Sequence, residues 1–220
     1  MKKMIFLGCL ILFLAPIVWA QEKVEAPVWN VGDKWEFGRE GFLEGVRVDA
    51  KGYVANFSAG IFYKSAQGTA IFDKSTLNIL YVLEGDKAKK YRGSHRRILN
   101  FPLVIGKKWK DSFFRVYKGG WYNADCLESF IVLGWEDVQV RAGKFKTLKF
   151  EYTVQESRKD SFIAHSPPRE SKAWYWYSPE VKYLVKGKYE KEYSEDFAPW
   201  DPAFKGGREG WELTSFQLKK

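Results

Sequence analysis

FKTLKFEYTVQ, residues 145–155, carries the clearest secondary-structure signal in the chain. Apolar and polar residues alternate along it, with the apolar positions at Leu148, Phe150, Tyr152 and Val154. A period of two places alternate side chains on opposite faces of a β-strand. The stretch therefore predicts a strand that packs these four side chains into a core and turns its polar side chains to water.

The sequence on either side repeats this pattern with turn residues between the repeats. Residues 137–140 lead through 141–144 into the strand just described, which predicts a hairpin whose Gly143 supplies the positive φ of a tight turn. TAIF, DKST and LNILYVL, residues 69–83, likewise predict a strand, a turn and a strand. Further strands are expected at residues 34–38, 46–57, 108–117, 128–133, 173–177, 181–189 and 211–218.

The composition agrees with an all-β protein. Aromatic residues make up 18% of the chain, and aromatic side chains favour strands. No segment shows a sustained helical period with capping residues. Short consecutive strands with tight turns predict an antiparallel meander. Its length suits one domain, which we place at residues 31–220 after an N-terminal linker at 21–30.

Two long segments lack strand character. Residues 157–170 contain two prolines, and residues 194–210 contain two prolines and three glycines. Loops of this length are uncommon inside compact domains and tend to be lids, binding loops or disordered. In the second segment aromatic side chains, including Trp200, favour an ordered flap, whereas Gly206 and Gly207 favour a mobile one. The sequence leaves both interpretations open.

The first twenty residues, MKKMIFLGCLILFLAPIVWA, have the order of a secretory signal peptide. A basic head at Lys2 and Lys3 precedes an apolar run, and Ala20 provides a cleavage site. The run is too short for a membrane anchor, and no later stretch is long and apolar enough to span. Cys9 lies inside the apolar run, which argues against lipid attachment. We expect a periplasmic or secreted protein cleaved near Ala20.

The sequence contains no recognisable catalytic or metal-binding motif. There is no Gly-rich phosphate loop, no paired His or Cys pattern and no G-x-S-x-G elbow. Cys126 is most simply a buried apolar side chain, because its only candidate bases, His95 and His165, lie in no known motif. We therefore assign no catalytic residue, no metal and no cofactor.

Four acidic residues could in principle include the two carboxylates of a glycosidase. Such a pair is recognised by the separation of its carboxylates in space, which a sequence does not supply. The simpler interpretation is that they are solvent-facing strand and turn residues. The four are Glu128, Glu136, Asp137 and Glu151.

The positive charge of the chain is concentrated in one segment. The formal net charge of +9 falls to +7 when Lys2 and Lys3 leave with the signal. A basic cluster could meet phosphate head groups, lipopolysaccharide or acidic glycans, or it could be a solvated connection between strands. An exported protein is not expected to bind nucleic acid. The cluster comprises Lys87, Lys89, Lys90, Arg92, Arg96 and Arg97.

Several phrases together resemble the DUF3108-like and TapB-like families of exported bacterial proteins. They are VGDKWEF (31–37), FPLVIGKKWKDSF (101–113), WEDVQVRAGKFKTLKFEY (135–152), WYWYSPEVKYLVK (174–186) and WELTSFQL (211–218). The chain departs from the family pattern at Arg141, where Pro is usual, and at Lys182-Tyr183, where Gly is usual. The resemblance implies a single curved antiparallel sheet that closes into a barrel or half-barrel, similar to periplasmic lipoprotein-handling folds.

Aromatic residues are the remaining candidates for a ligand site. Alternation places Trp174 and Trp176 on one face of their strand and Tyr175 and Tyr177 on the other. Such a face could line a cavity for acyl chains, stack on sugar rings if exposed, or fill the core. The candidate ligand residues are Phe150, Tyr152, Trp174, Trp176 and Trp200.

These observations predict a non-catalytic exported protein that binds a lipid-like or other apolar ligand, or an envelope partner. The alternative is a carbohydrate-binding or adhesin-like module that uses exposed aromatic side chains. The sequence leaves open the identity of the ligand, the oligomeric state, and whether the sheet encloses a cavity or a filled core.

Overall fold

The computed structural model describes residues 22–37, 41–48, 52–61, 64–84, 87–90, 98–116, 123–159, 169–190 and 210–220. Strands and turns make up the regular structure in these ranges, and none of them holds a helix long and apolar enough to cross a bilayer. The strands are β1 (Lys34–Glu36), β2 (Gly41–Val48), β3 (Tyr53–Ile61), β4 (Lys64–Phe72), β5 (Ile79–Glu84), β6 (Lys87–Lys90), β7 (Lys108–Val116), β8 (Asn123–Val140), β9 (Gly143–Lys159), β10 (Arg169–Ser178), β11 (Tyr183–Tyr189), β12 (Gly210–Glu212) and β13 (Ser215–Gln217).

Within the described ranges these strands form two antiparallel sheets. The seven-stranded sheet has the order β13-β1-β2-β3-β4-β5-β6, and the six-stranded sheet has the order β12-β11-β10-β9-β8-β7. The predicted all-β class and antiparallel meander are confirmed. The prediction of a single sheet is wrong, because alternation shows which side chains face inward but not which sheet a strand joins. Neither sheet pairs its two outer strands with each other in the described ranges, so closure into a barrel is not confirmed.

The longest strands form the predicted hairpin. Strands β8 and β9 pair from Asn123 with Lys159 to Val140 with Gly143, which leaves a two-residue turn between them. Gly143 has a φ of 143°, a value that side-chain-bearing residues rarely adopt, as predicted. The strand expected at 128–133 is part of the longer β8, in which the register shifts between Val132 and Gly134.

The turn predicted after TAIF is also confirmed. Strand β4 ends at Phe72, and the Asp73 carboxylate accepts hydrogen bonds from the main-chain N–H groups of Ser75 and Thr76, both over 2.9 Å. This arrangement is an Asx-type turn, in which a side chain replaces a main-chain acceptor. Strand β5 then returns antiparallel to β4.

Two of the predicted strands are each divided in the structure. The strand expected at 46–57 is divided between β2 and β3, which pair with each other antiparallel. The strand expected at 211–218 is β12 and β13, which belong to different sheets. Between them Leu213 is fully buried and donates its N–H to the Val185 carbonyl of β11 over 2.8 Å, while Thr214 donates to Glu36 of β1 over 2.8 Å. This crossing ties the two sheets together.

The two sheets share one core, and Trp29 lies at its centre. Its ring centroid is 4.7 Å from that of Trp35, 5.3 Å from that of Phe72 and 5.4 Å from that of Tyr183 on the six-stranded sheet. The segment expected to be a linker therefore contributes a core residue. Val24 pairs with Leu103 in an isolated antiparallel bridge that fixes the same segment further upstream.

Candidate functional site

Strand β10 divides its aromatic side chains between two environments. Tyr175 and Tyr177 point to the inner face of the six-stranded sheet and are 0% and 1% exposed. Trp174 and Trp176 alternate with them and therefore lie on the outer face. The predicted division of these four rings between two faces is thus observed.

The candidate ligand residues of β9 belong to the inner face. Phe150 is the register partner of Tyr175, and their ring centroids are 5.7 Å apart. Tyr152 packs on Phe130 at 4.9 Å. Both β9 rings are buried, so they fill the core as one of the sequence alternatives expects. They do not share a surface with Trp174.

On the outer face, Trp176 is covered by its neighbours. Its register partners are Lys149 on β9 and Lys186 on β11. Their ammonium nitrogens lie 5.0 and 5.4 Å from the indole centroid, within the range of cation–π attraction. The indole N–H donates to the carboxylate of Glu136. With only 5% of its surface exposed, Trp176 is part of the structure of this face rather than an open platform.

Trp174 differs from Trp176 in being partly open. Its indole N–H donates to Oε2 of Glu151 over 3.1 Å, which fixes the orientation of the ring. No ammonium group or second ring from the described residues stacks on the indole. Its register partner on β11 is the exposed Lys188. A fixed, partly exposed indole beside polar groups is suited to stacking on the apolar face of a ring-shaped ligand.

The lysines of β11 bring positive charge to this face. Among the described residues, neither Lys186 nor Lys188 has a carboxylate within salt-bridge distance. Glu212 is the register partner of Lys186, but it pairs with Arg141 over 3.0 Å. Both lysines therefore lack an anionic partner among the described residues.

The four acidic residues considered earlier fall into two groups. Glu136 and Glu151 hold the two indole N–H groups, and Asp137 pairs with Lys144 over 2.9 Å. Glu128 lies on the inner face and is 0% exposed, so its interpretation as solvent-facing is wrong.

Sequence reasoning missed Glu128 as a buried polar residue. Its carboxylate accepts a hydrogen bond from the Tyr152 hydroxyl over 2.6 Å. The signal was present, because Glu128 is in phase with Cys126 and Phe130, which are both buried. Within the described residues, no group of three or more His, Cys, Asp or Glu side chains could hold a metal ion.

The remaining predicted residues lie elsewhere or outside the described ranges. Lys87, Lys89 and Lys90 belong to β6, at the edge of the seven-stranded sheet, and thus to a different sheet from Trp174. Several other predicted features lie outside the described ranges. They are the predicted signal peptide, most of segment 194–210, and the residues Arg92, Arg96, Arg97, Trp200, His95 and His165.

A separate groove of about 430 Å³ lies between the N-terminal segment and the β10–β11 turn. Tyr177 and Pro179 contribute to its lining. Lys182 closes one side by donating from Nζ to the Val28 carbonyl over 2.9 Å. Burial raises the pKa of the Tyr177 hydroxyl above its ordinary value.

The chain matches no family model, so the resemblance to the DUF3108-like and TapB-like families is not confirmed by one. No curated protein matches it. Three solved structures match the chain along most of its length.

A Parabacteroides distasonis protein described provisionally as a lipoprotein is 11% identical, with a TM-score of 0.45 over 90% of this chain and 100% of its own. The hypothetical lipoprotein YmcC from Escherichia coli is 8% identical, with a TM-score of 0.45 over 90% and 92%. A Bacteroides fragilis protein, described provisionally as exported and with a YmcC-like fold, is 14% identical, with a TM-score of 0.37 over 88% and 99%.

Proposed function

We propose that this chain is a non-catalytic exported protein that binds a saccharide component of the cell envelope. The binding surface is the outer face of the six-stranded sheet, centred on Trp174. Export is supported by the order of basic, apolar and small residues in segment 1–20. Of the two functions that the sequence suggests, the proposal adopts carbohydrate binding rather than binding of an apolar ligand.

The observation that carries the proposal is the state of the Trp174 indole. Its N–H is held by Glu151, the residue is partly exposed, and no described ring or ammonium group stacks on it. Sugar rings present apolar C–H faces that pack against such an indole, and their hydroxyl groups need nearby polar partners. Glu151 and Lys188 supply polar groups on both neighbouring strands.

The interior gives less support to a lipid-like ligand. Such a ligand would need apolar volume next to Phe150 and Tyr152. Both rings instead pack on other rings, with Phe150 6.5 Å from Trp109 and Tyr152 6.2 Å from Tyr175 between centroids. An acyl chain would have to displace this packing, and close-packed interiors resist such changes.

The test is binding of the mature protein to a panel of neutral and acidic polysaccharides, followed by isothermal calorimetry on those that bind. Replacing Trp174→Ala should weaken binding by about tenfold, because the stacking surface is lost. The polysaccharide should keep its chain length during the incubation, as expected for a non-catalytic protein.

Phe114→Ala is the matched control. Phe114 is 51% exposed on the same sheet but lies on β7, three strands from β10. It should bind saccharide as the parent protein does. Binding that is equal in the Trp174 variant and the parent, or a panel in which no polysaccharide binds, would overturn the proposal. The circular dichroism of each variant checks that the fold is retained.

A further inference from the structure

We infer that the saccharide recognised at Trp174 is anionic and that Lys188 and Lys186 bind its acidic groups. This inference rests on the proposed function and names the class of its ligand. It comes from the charges around the indole, which are distributed unequally between its two neighbouring strands.

The β9 side of Trp174 is already occupied. Glu151 accepts the indole N–H, and one row away Lys149 is shared between the Trp176 ring and Glu136, whose carboxylate lies 3.5 Å from its ammonium nitrogen. The charged groups on this side are already paired with one another or with an indole. A ligand on Trp174 therefore finds no uncommitted positive charge on β9 in these two rows, whose side chains are described.

The β11 side is different. Lys188 is the register partner of Trp174, and Lys186 follows on the same face in the next row. Side chains of register partners start only about 5 Å apart. A sugar ring stacked on Trp174 would therefore bring a carboxylate, sulfate or phosphate substituent within reach of the Lys188 ammonium group.

These two lysines have no described carboxylate to pair with, since Glu212 is committed to Arg141. An anionic ligand would supply the missing partner. The overall positive charge of the chain acts in the same direction, because it raises the local concentration of anionic polymers. A neutral saccharide would use the indole but leave both ammonium groups without an anionic partner.

The decisive experiment compares a uronic-acid polysaccharide with the same polymer after its carboxylates have been reduced to alcohols. The mature protein should bind the acidic polymer more tightly than the reduced one, and the difference should shrink as salt is added. Lys188→Gln should lower affinity for the acidic polymer about fivefold and leave affinity for the reduced polymer unchanged.

Lys110→Gln is the matched control, because Lys110 is an exposed lysine of the same sheet on β7, far from Trp174. It should bind both polymers like the parent. Equal affinity of the parent for both polymers would overturn this inference while leaving the proposed function intact. Binding of neither polymer, together with a negative panel, would remove the proposed function as well.

A third probe separates saccharides from lipid head groups. Vesicles of neutral lipid containing anionic phosphatidylglycerol present negative charge without a sugar polymer. Tight vesicle binding that depends on Lys188 but not on Trp174 would mean that the lysines serve a membrane surface, and the inference would be wrong. Weak vesicle binding, beside tight binding of the acidic polymer that needs both residues, is the expected result.

Discussion

The hydroxyl of Tyr152 donates to the carboxylate of Glu128 over 2.6 Å, at a position where neither side chain is more than 1% exposed. Removing a hydrogen bond from a buried acceptor costs free energy, because water cannot replace the lost donor. Tyr152→Phe should therefore lower the free energy of unfolding by about 1–3 kcal/mol. Urea unfolding of the parent, of both single variants and of the double variant with Glu128→Gln measures the coupling. A coupling near zero would contradict a direct interaction.

The register of β9 predicts opposite outcomes at adjacent positions. Phe150→Ala should destabilise the protein by about 3–5 kcal/mol, because it leaves a cavity among packed rings. Lys149→Ala removes a partly exposed side chain with one ion pair and should cost about 1 kcal/mol or less. Chemical denaturation of both variants checks this. Similar losses of unfolding free energy at the two positions would show that the inward face of β9 is assigned wrongly.

Two strand glycines of the six-stranded sheet form a second matched pair. A Cβ added to Gly187 would lie 2.3 Å from Nε1 of Trp211, whereas one added to Gly134 would have no atom within 4 Å. Gly187→Ala should destabilise by about 1–3 kcal/mol through overpacking. Gly134→Ala should be close to neutral. Thermal unfolding of both variants tests the close packing of β11 on β12, and a neutral Gly187 variant would show that Trp211 is free to shift.

Local rules account for much of this fold. Alternation at Leu148, Phe150, Tyr152 and Val154 correctly predicts an inward face, and the Gly143 turn follows from its backbone requirement. These features depend on residues close in sequence. The division into two sheets does not, because it depends on pairings such as β1 with β13, whose partners are almost the whole chain apart.

The candidate site can be predicted only in part from the sequence, because it too depends on pairing between distant strands. Alternation correctly separates Trp174 from Tyr175. Trp174 and Phe150 were both candidate ligand residues because both are aromatic, yet they lie on opposite faces of the sheet. The difference between a covered Trp176 and a partly open Trp174 arises from their register partners. The pattern within one segment does not determine its register with a distant strand. Burial of Glu128 does not depend on such register, because Glu128 alternates in phase with the buried Cys126 and Phe130 of β8.

Tyr177 predicts a pH dependence of stability at alkaline pH. In the unfolded chain tyrosine ionises near pH 10, and burial raises the pKa of Tyr177 in the folded protein. Above pH 10 the unfolded state loses this proton while the folded state keeps it. Unfolding then releases a proton, so the free energy of unfolding falls as pH rises.

The comparison with Tyr177→Phe isolates this contribution from that of other tyrosines. Urea unfolding of both proteins from about pH 9 to about pH 11 should show a steeper decline in the parent. Parallel declines would mean that Tyr177 titrates alike in both states, contrary to its burial.

The crossing at Leu213 depends on the last two described strands. Strands β12 and β13 complete one edge of each sheet, and they are synthesised after every other described strand. Until they arrive, β1 and β11 each lack a pairing partner along one side. Unpaired strand edges invite association with other chains. Both sheets therefore stay incomplete at one edge until Leu213 reaches the interior.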